Sequence, residues 1–132
     1  MKSKTDGQAM NVIIAIESSL VRLDVEDTLR DLGIGKVRGA ATADIALAAL
    51  DMAPCDVAIL GFESCDQSWT QLIEVLVQKH IPSVIMGSSA GLVNSTLKRP
   101  CVESLSVPFD ATSLSDAIAR AIRLCLGRSG TS

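Results

Sequence analysis

Short apolar runs alternate with longer amphipathic stretches along this chain, and that alternation limits the possible folds more than any single residue does. It predicts strands at Val12–Ile16, Lys36–Ala40, Val57–Leu60, Ser83–Met86 and Cys101–Leu105, with helices near 18–32, 42–52, 66–80 and 113–126. Strands separated by helices build βαβ units around a parallel sheet. The third and fourth runs are apolar throughout, as strands covered on both faces require. Thr42 and Asp66 stand where N-caps belong, and Ser113-Leu114-Ser115-Asp116 matches a capping box. Gly87, Gly91 and Asn94 weaken any helix over 88–99, so a short or irregular fourth helix is expected there.

A length of 132 residues with 48% hydrophobic content is enough for one core and too little for a second domain. The folded unit is expected over 11–126, with an N-terminal tail at 1–10 and a C-terminal tail at 127–132. The apolar stretches fall short of the roughly 20 residues that cross a bilayer. The start, Met1-Lys2-Ser3-Lys4-Thr5-Asp6-Gly7, lacks a secretory apolar core, so a cytoplasmic location is expected. Cys55, Cys65, Cys101 and Cys125 form no C-x-x-C pair, which points to reduced, packed thiols and away from zinc or redox sites. A net charge of −3 and three aromatic residues, Phe62, Trp69 and Phe109, argue against nucleic-acid binding.

Four segments in a shared order carry a resemblance. They are Leu20-Val21-Arg22-Leu23-Asp24-Val25-Glu26-Asp27-Thr28-Leu29 after the first strand, Pro54-Cys55-Asp56-Val57-Ala58-Ile59-Leu60, Ile81-Pro82-Ser83-Val84-Ile85-Met86, and Val107-Pro108-Phe109-Asp110 before the last helix. On them the chain resembles the receiver domain of bacterial two-component response regulators, and the first segment is similar to receivers common in α-proteobacteria. The resemblance implies a flavodoxin-like, doubly wound (βα)5 fold with a parallel sheet of order 2-1-3-4-5.

It also implies a chemistry: transfer of a phosphoryl group from phosphohistidine to an aspartate at the end of the third strand, beside Mg²⁺ and a lysine that neutralise the gathering oxyanions. In this sequence the aspartate position is Gly61. The acidic pair after the first strand falls on Ile16 and Glu17, leaving one carboxylate for a cation that prefers several oxygens. The lysine position falls on Val107, before Pro108. The hydroxyl position after the fourth strand falls on Gly87, with Ser88 next, and the aromatic switch position falls near Ser104. A degenerate phosphoryl pocket of Glu17, Gly61, Gly87, Ser88, Val107 and Pro108 is therefore expected, in a pseudo-receiver that is not an enzyme and holds no metal or cofactor. Glu63, Cys65 and Asp66 are weighed as substitute nucleophiles, and helix capping is the plainer role for Asp66.

A silent pocket moves attention to the surfaces. Val21, Val25, Leu29 and Leu32 form the buried stripe of the first helix, while Leu23 points away among Arg22, Glu26, Asp27 and Arg30. The last helix carries more apolar surface than one sheet face needs, with a surplus near Leu124 and Leu126 beside Arg120 and Arg123. Arg22, Leu23, Arg120, Arg123 and Leu124 are thus the predicted interaction surface. The resemblance implies docking on these two helices by a histidine kinase, a phosphotransfer protein or another regulator, with a homodimer as a further option, and neither nucleic acid nor membrane is expected. His80, the only histidine, is read as a helix C-cap on the sheet-facing side of the third helix rather than as a phosphoryl acceptor. The alternative function is small-molecule or nucleotide sensing in the emptied pocket, although no glycine-rich phosphate fingerprint accompanies it.

Overall fold

Every apolar run pairs with its neighbours in parallel, and the computed structural model shows why the pattern leaves little choice. It describes residues 10–34, 36–62, 67–86, 102–105 and 110–131, with side chains described outside 102–105 and 124–131. The elements are β1 (Asn11–Ile16), α1 (Ser19–Asp31), β2 (Lys36–Ala40), α2 (Ala43–Met52), β3 (Val57–Gly61), α3 (Gln67–Gln78), β4 (Ser83–Met86), β5 (Val102–Leu105) and α4 (Ala111–Thr131). The five strands form one sheet of order β2-β1-β3-β4-β5. The predicted α/β class and strand order are those observed, and the strands lie within one residue of their predicted bounds, with Cys101 outside the described residues.

Alternate residues of each strand feed opposite faces. Ile13, Ala15, Ala58, Leu60 and Ile85 pack against Ala46 and Leu50 of α2 and against Trp69, Leu72 and Leu76 of α3. Val12, Ile14, Ile59 and Val84 pack against Val25 and Leu29 of α1 and Leu114, Ala117 and Ala121 of α4. Both sheet faces are covered, which is why β3, and β4 after the buried Ser83, read as apolar runs. Truncating a fully buried side chain such as Leu29 or Leu72 to alanine removes about 2–5 kcal/mol of stability.

The helix ends follow local chemistry. Ser18 accepts from the Val21 N–H at 3.4 Å and Thr42 from the Ile45 N–H at 3.2 Å, capping α1 and α2. The predicted capping box at Ser113 lies one turn too late. The Ser113 N–H donates to Asp110 Oδ1 at 2.8 Å, and the Asp110 N–H donates to Ser113 Oγ at 3.0 Å, so the reciprocal pair starts α4 at Ala111. At its other end α4 runs to Thr131, so most of the stretch expected to be a tail over 127–132 is helical. That stretch contains glycines but no proline, and glycine lowers helix stability without forbidding the conformation.

His80 closes α3 in a left-handed conformation, with φ +57°. Its N–H donates to Val77 O at 3.0 Å and the Ile81 N–H donates to Leu76 O at 2.9 Å, the double bond of a Schellman motif. The expected C-cap is present, but the ring is exposed and does not face the sheet. A residue just past a helix end leaves the helical screw, so the 100° spacing that put His80 on the buried face no longer applies. Gly33, with φ +88°, ends α1 in the same way through Ile34 N–H to Leu29 O. The expected cap Asp66 and the segment 88–99 lie outside the described residues.

Candidate functional site

β1 and β3 deliver their last residues side by side. Ile16 pairs with Gly61 in the sheet register, and the Glu17 N–H donates to Gly61 O at 3.0 Å just beyond it. A Cβ added to Gly61 would lie 3.4 Å from both γ-carbons of Ile16, so a branched apolar side chain flanks the bare backbone. Ile16 itself is buried. The strand tip that would have to hold a nucleophile and a metal ligand holds a hydrocarbon and a hydrogen.

Glu17 is the remaining carboxylate. It is exposed, and its Oε2 accepts a hydrogen bond from Trp69 Nε1 at 3.3 Å. The Trp69 ring is buried and lies tilted against Phe62, with ring centroids 4.7 Å apart and planes at 30°. Phe62 directly follows Gly61, so the indole covers the strand tip from α3 while its N–H engages the acid. A buried indole N–H needs such an acceptor, since an unmet donor costs its full desolvation. Mg²⁺ needs near-octahedral oxygen coordination, and one carboxylate already engaged by a donor is a poor start for it. Among the described residues no three His, Cys, Asp or Glu side chains cluster as a metal site.

The sequence places Trp69 in the core and misses its bond to Glu17. The spacing of 52 residues between them gives no local signal; only the parallel register and the α3 packing bring them together. Gly87, Ser88, Val107 and Pro108, the other expected pocket residues, lie outside the described residues, as do Glu63, Cys65 and Asp66. The small-molecule reading rests on Gly87, Ser88 and Val107 as much as on the described Glu17, Gly61 and Phe62.

The predicted interaction residues separate. Arg22 is half-buried, and its guanidinium donates to the Ile16 carbonyl at 2.7 Å, tying α1 to the end of β1 instead of standing free. Leu23 is 56% exposed, as expected of an outward leucine. Leu20, three residues earlier, is 79% exposed, and helical spacing sets it next to Leu23. Arg120 and Arg123 are exposed on α4, and Leu124 lies on the same helix with its side chain outside the described set. Cys55 is a half-buried free thiol donating to Val57 O at 3.2 Å, and burial pushes it up to about 11. The other three cysteine side chains lie outside the described set. Among the described residues no helix is long and apolar enough to cross a membrane.

No protein-family model matches the sequence, and no curated protein matches it. Solved structures do resemble it. A response regulator receiver protein from Sinorhizobium medicae superposes with a TM-score of 0.75 at 23% identity, over 89% of this chain and 98% of that one. SdrG from Sphingomonas melonis gives 0.71 at 27% identity, over 86% and 96%. The receiver domain of the PhyR response regulator from Erythrobacter litoralis gives 0.71 at 20% identity, over 86% and 89%. The chain has the fold of response-regulator receiver domains across nearly their whole length.

Proposed function

We propose that this receiver-fold chain is a two-component signalling module that acts by binding a protein partner and does not accept a phosphoryl group. The observation that carries the reading is the pairing of Gly61 with Ile16 at the tips of β3 and β1. Aspartyl phosphorylation needs a carboxylate oxygen to attack phosphorus and metal-bound oxygens to neutralise the transition state. The tip offers neither, and the carboxylate beside it is hydrogen-bonded to an indole. No enzymatic step can be written for the described residues without a nucleophile and a base in reach of each other. Binding therefore falls to the exterior, where Leu20 and Leu23 form an apolar pair on an otherwise charged helix face.

Beryllofluoride with Mg²⁺ tests this directly, because the pair mimics a phosphoryl group only where an aspartate oxygen completes its coordination. The amide resonances of Ile16, Glu17, Gly61 and Phe62 are expected to stay in place on its addition. A saturable shift of those amides would overturn the reading.

A further inference from the structure

β2 is an edge strand: it pairs with β1 and, among the described residues, with nothing on its other side. Its two faces are not alike. On the α1 side, a Cβ at Gly39 would collide with Glu26 Oε2 and touch Arg22, so α1 covers that face closely. On the α2 side, a groove of about 500 Å³ opens at the start of the strand, lined by Asn11, Lys36, Val37, Arg38, Ala53 and Pro54. Lys36 and Arg38 are two residues apart, so both stand on one face, level with Asn11 and Ile13 in the register. Both are exposed, and neither has a hydrogen-bond or ion-pair partner among the described residues. Asp56, two residues after the lining Pro54, is engaged: its Oδ2 accepts from the Asn11 N–H at 2.8 Å. Asp51 and the exposed Met52 stand at the end of α2, just before Ala53.

We propose that this edge receives an extended acidic segment of a partner protein, which adds to β2 as a further strand and sets its carboxylates against Lys36 and Arg38. An open strand edge offers main-chain donors and acceptors in a row, and alternate side chains of an added strand fall on the groove face. The two cations, without partners among the described residues, select acid at those alternate positions. A second copy of β2 fits poorly, because antiparallel pairing about Val37 would set Lys36 opposite Arg38, like charge against like. The chain's own first nine residues carry Lys2 and Lys4 against one acid, Asp6, and so lack the complementary charge. The inference rests on the partner-binding reading and adds a second face to it, with a stated chemistry.

The test is an amide-shift titration of the full chain with two synthetic peptides, acetyl-Val-Glu-Val-Glu-Val-amide and its lysine counterpart, and with citrate as a compact anion. The acidic peptide is expected to shift the amides of Lys36 to Ala40 saturably, and more weakly as salt is raised. The Lys36→Glu/Arg38→Glu variant is expected to bind it about tenfold or more weakly. Lys36→Gln/Arg38→Gln serves as a milder second variant should charge reversal disturb folding. Equal binding of the two peptides, shifts confined to other strands, an unaffected glutamine variant, or citrate matching the peptide would each overturn the proposal. No phosphodonor is involved, so failure here leaves the silent phosphoryl site standing, and labelling at that site would leave this one standing.

Discussion

Gly61 and Ile16 stand side by side at the tips of β3 and β1, and the proposed absence of phosphoryl transfer is tested first at that pair. A Cβ at Gly61 meets Ile16 at ordinary contact distance, so Gly61→Asp is expected to fold, yet its carboxylate would lie against hydrocarbon with Glu17 already engaged. Exposure of that variant to a small phosphodonor and Mg²⁺ is expected to leave its intact mass unchanged. Glu17→Ala removes an acceptor of the Trp69 indole and is expected to cost about 1 kcal/mol in urea melts, with Glu17→Gln costing less because it keeps a carbonyl oxygen. Asp110 gives a pH signature. Hydrogen bonds from the Ser113 backbone N–H, and then its hydroxyl, hold the carboxyl below its usual value of 3.8. A lowered folded value means the stabilisation is present above the ordinary carboxylate range and is lost as pH falls through the folded value. The gap in thermal midpoint between wild type and Asp110→Ala is therefore expected at neutral pH and should close on acidification below about pH 4.

At the scale of elements, caps and edges separate what the sequence shows from what it hides. Thr42 is legible as a cap because its hydroxyl acts three residues away, and Thr42→Ala is expected to lower stability by about 1 kcal/mol in thermal melts. Continuous apolar runs revealed β3 and β4, since burial on both faces leaves no place for polar alternation. The start of α4 is ambiguous in the sequence because Ser113 fits a capping box from either side; Asp110 takes the first position and Ser113 the fourth. The side His80 faces is hidden from periodicity, which cannot show where a helix stops, and the left-handed turn takes it out of the screw. That turn makes its own prediction: glycine tolerates positive φ and alanine does not, so His80→Gly is expected to be about 1 kcal/mol more stable than His80→Ala. The Glu17–Trp69 bond was illegible for another reason, as it joins the end of β1 to α3 across the sheet.

Across the whole molecule, the sheet's two ends have different characters. At the carboxyl ends of β1 and β3, where doubly wound sheets gather their ligands, Ile16, Gly61, Phe62 and Trp69 form a largely apolar tip. Away from that tip, the described residues expose the Leu20 and Leu23 pair of α1 and the cationic edge of β2. In a fold shared with response-regulator receivers, the described tips of β3 and β1 carry Gly61 and Ile16, and the proposal that no phosphoryl group is accepted rests on that pair. Intact-mass measurement after incubation with acetyl phosphate and Mg²⁺ addresses that claim most directly. The mass is expected to stay that of the unmodified chain, whereas an acid-stable, base-labile phosphoryl adduct, mapped to any aspartate or glutamate near Gly61, would contradict it.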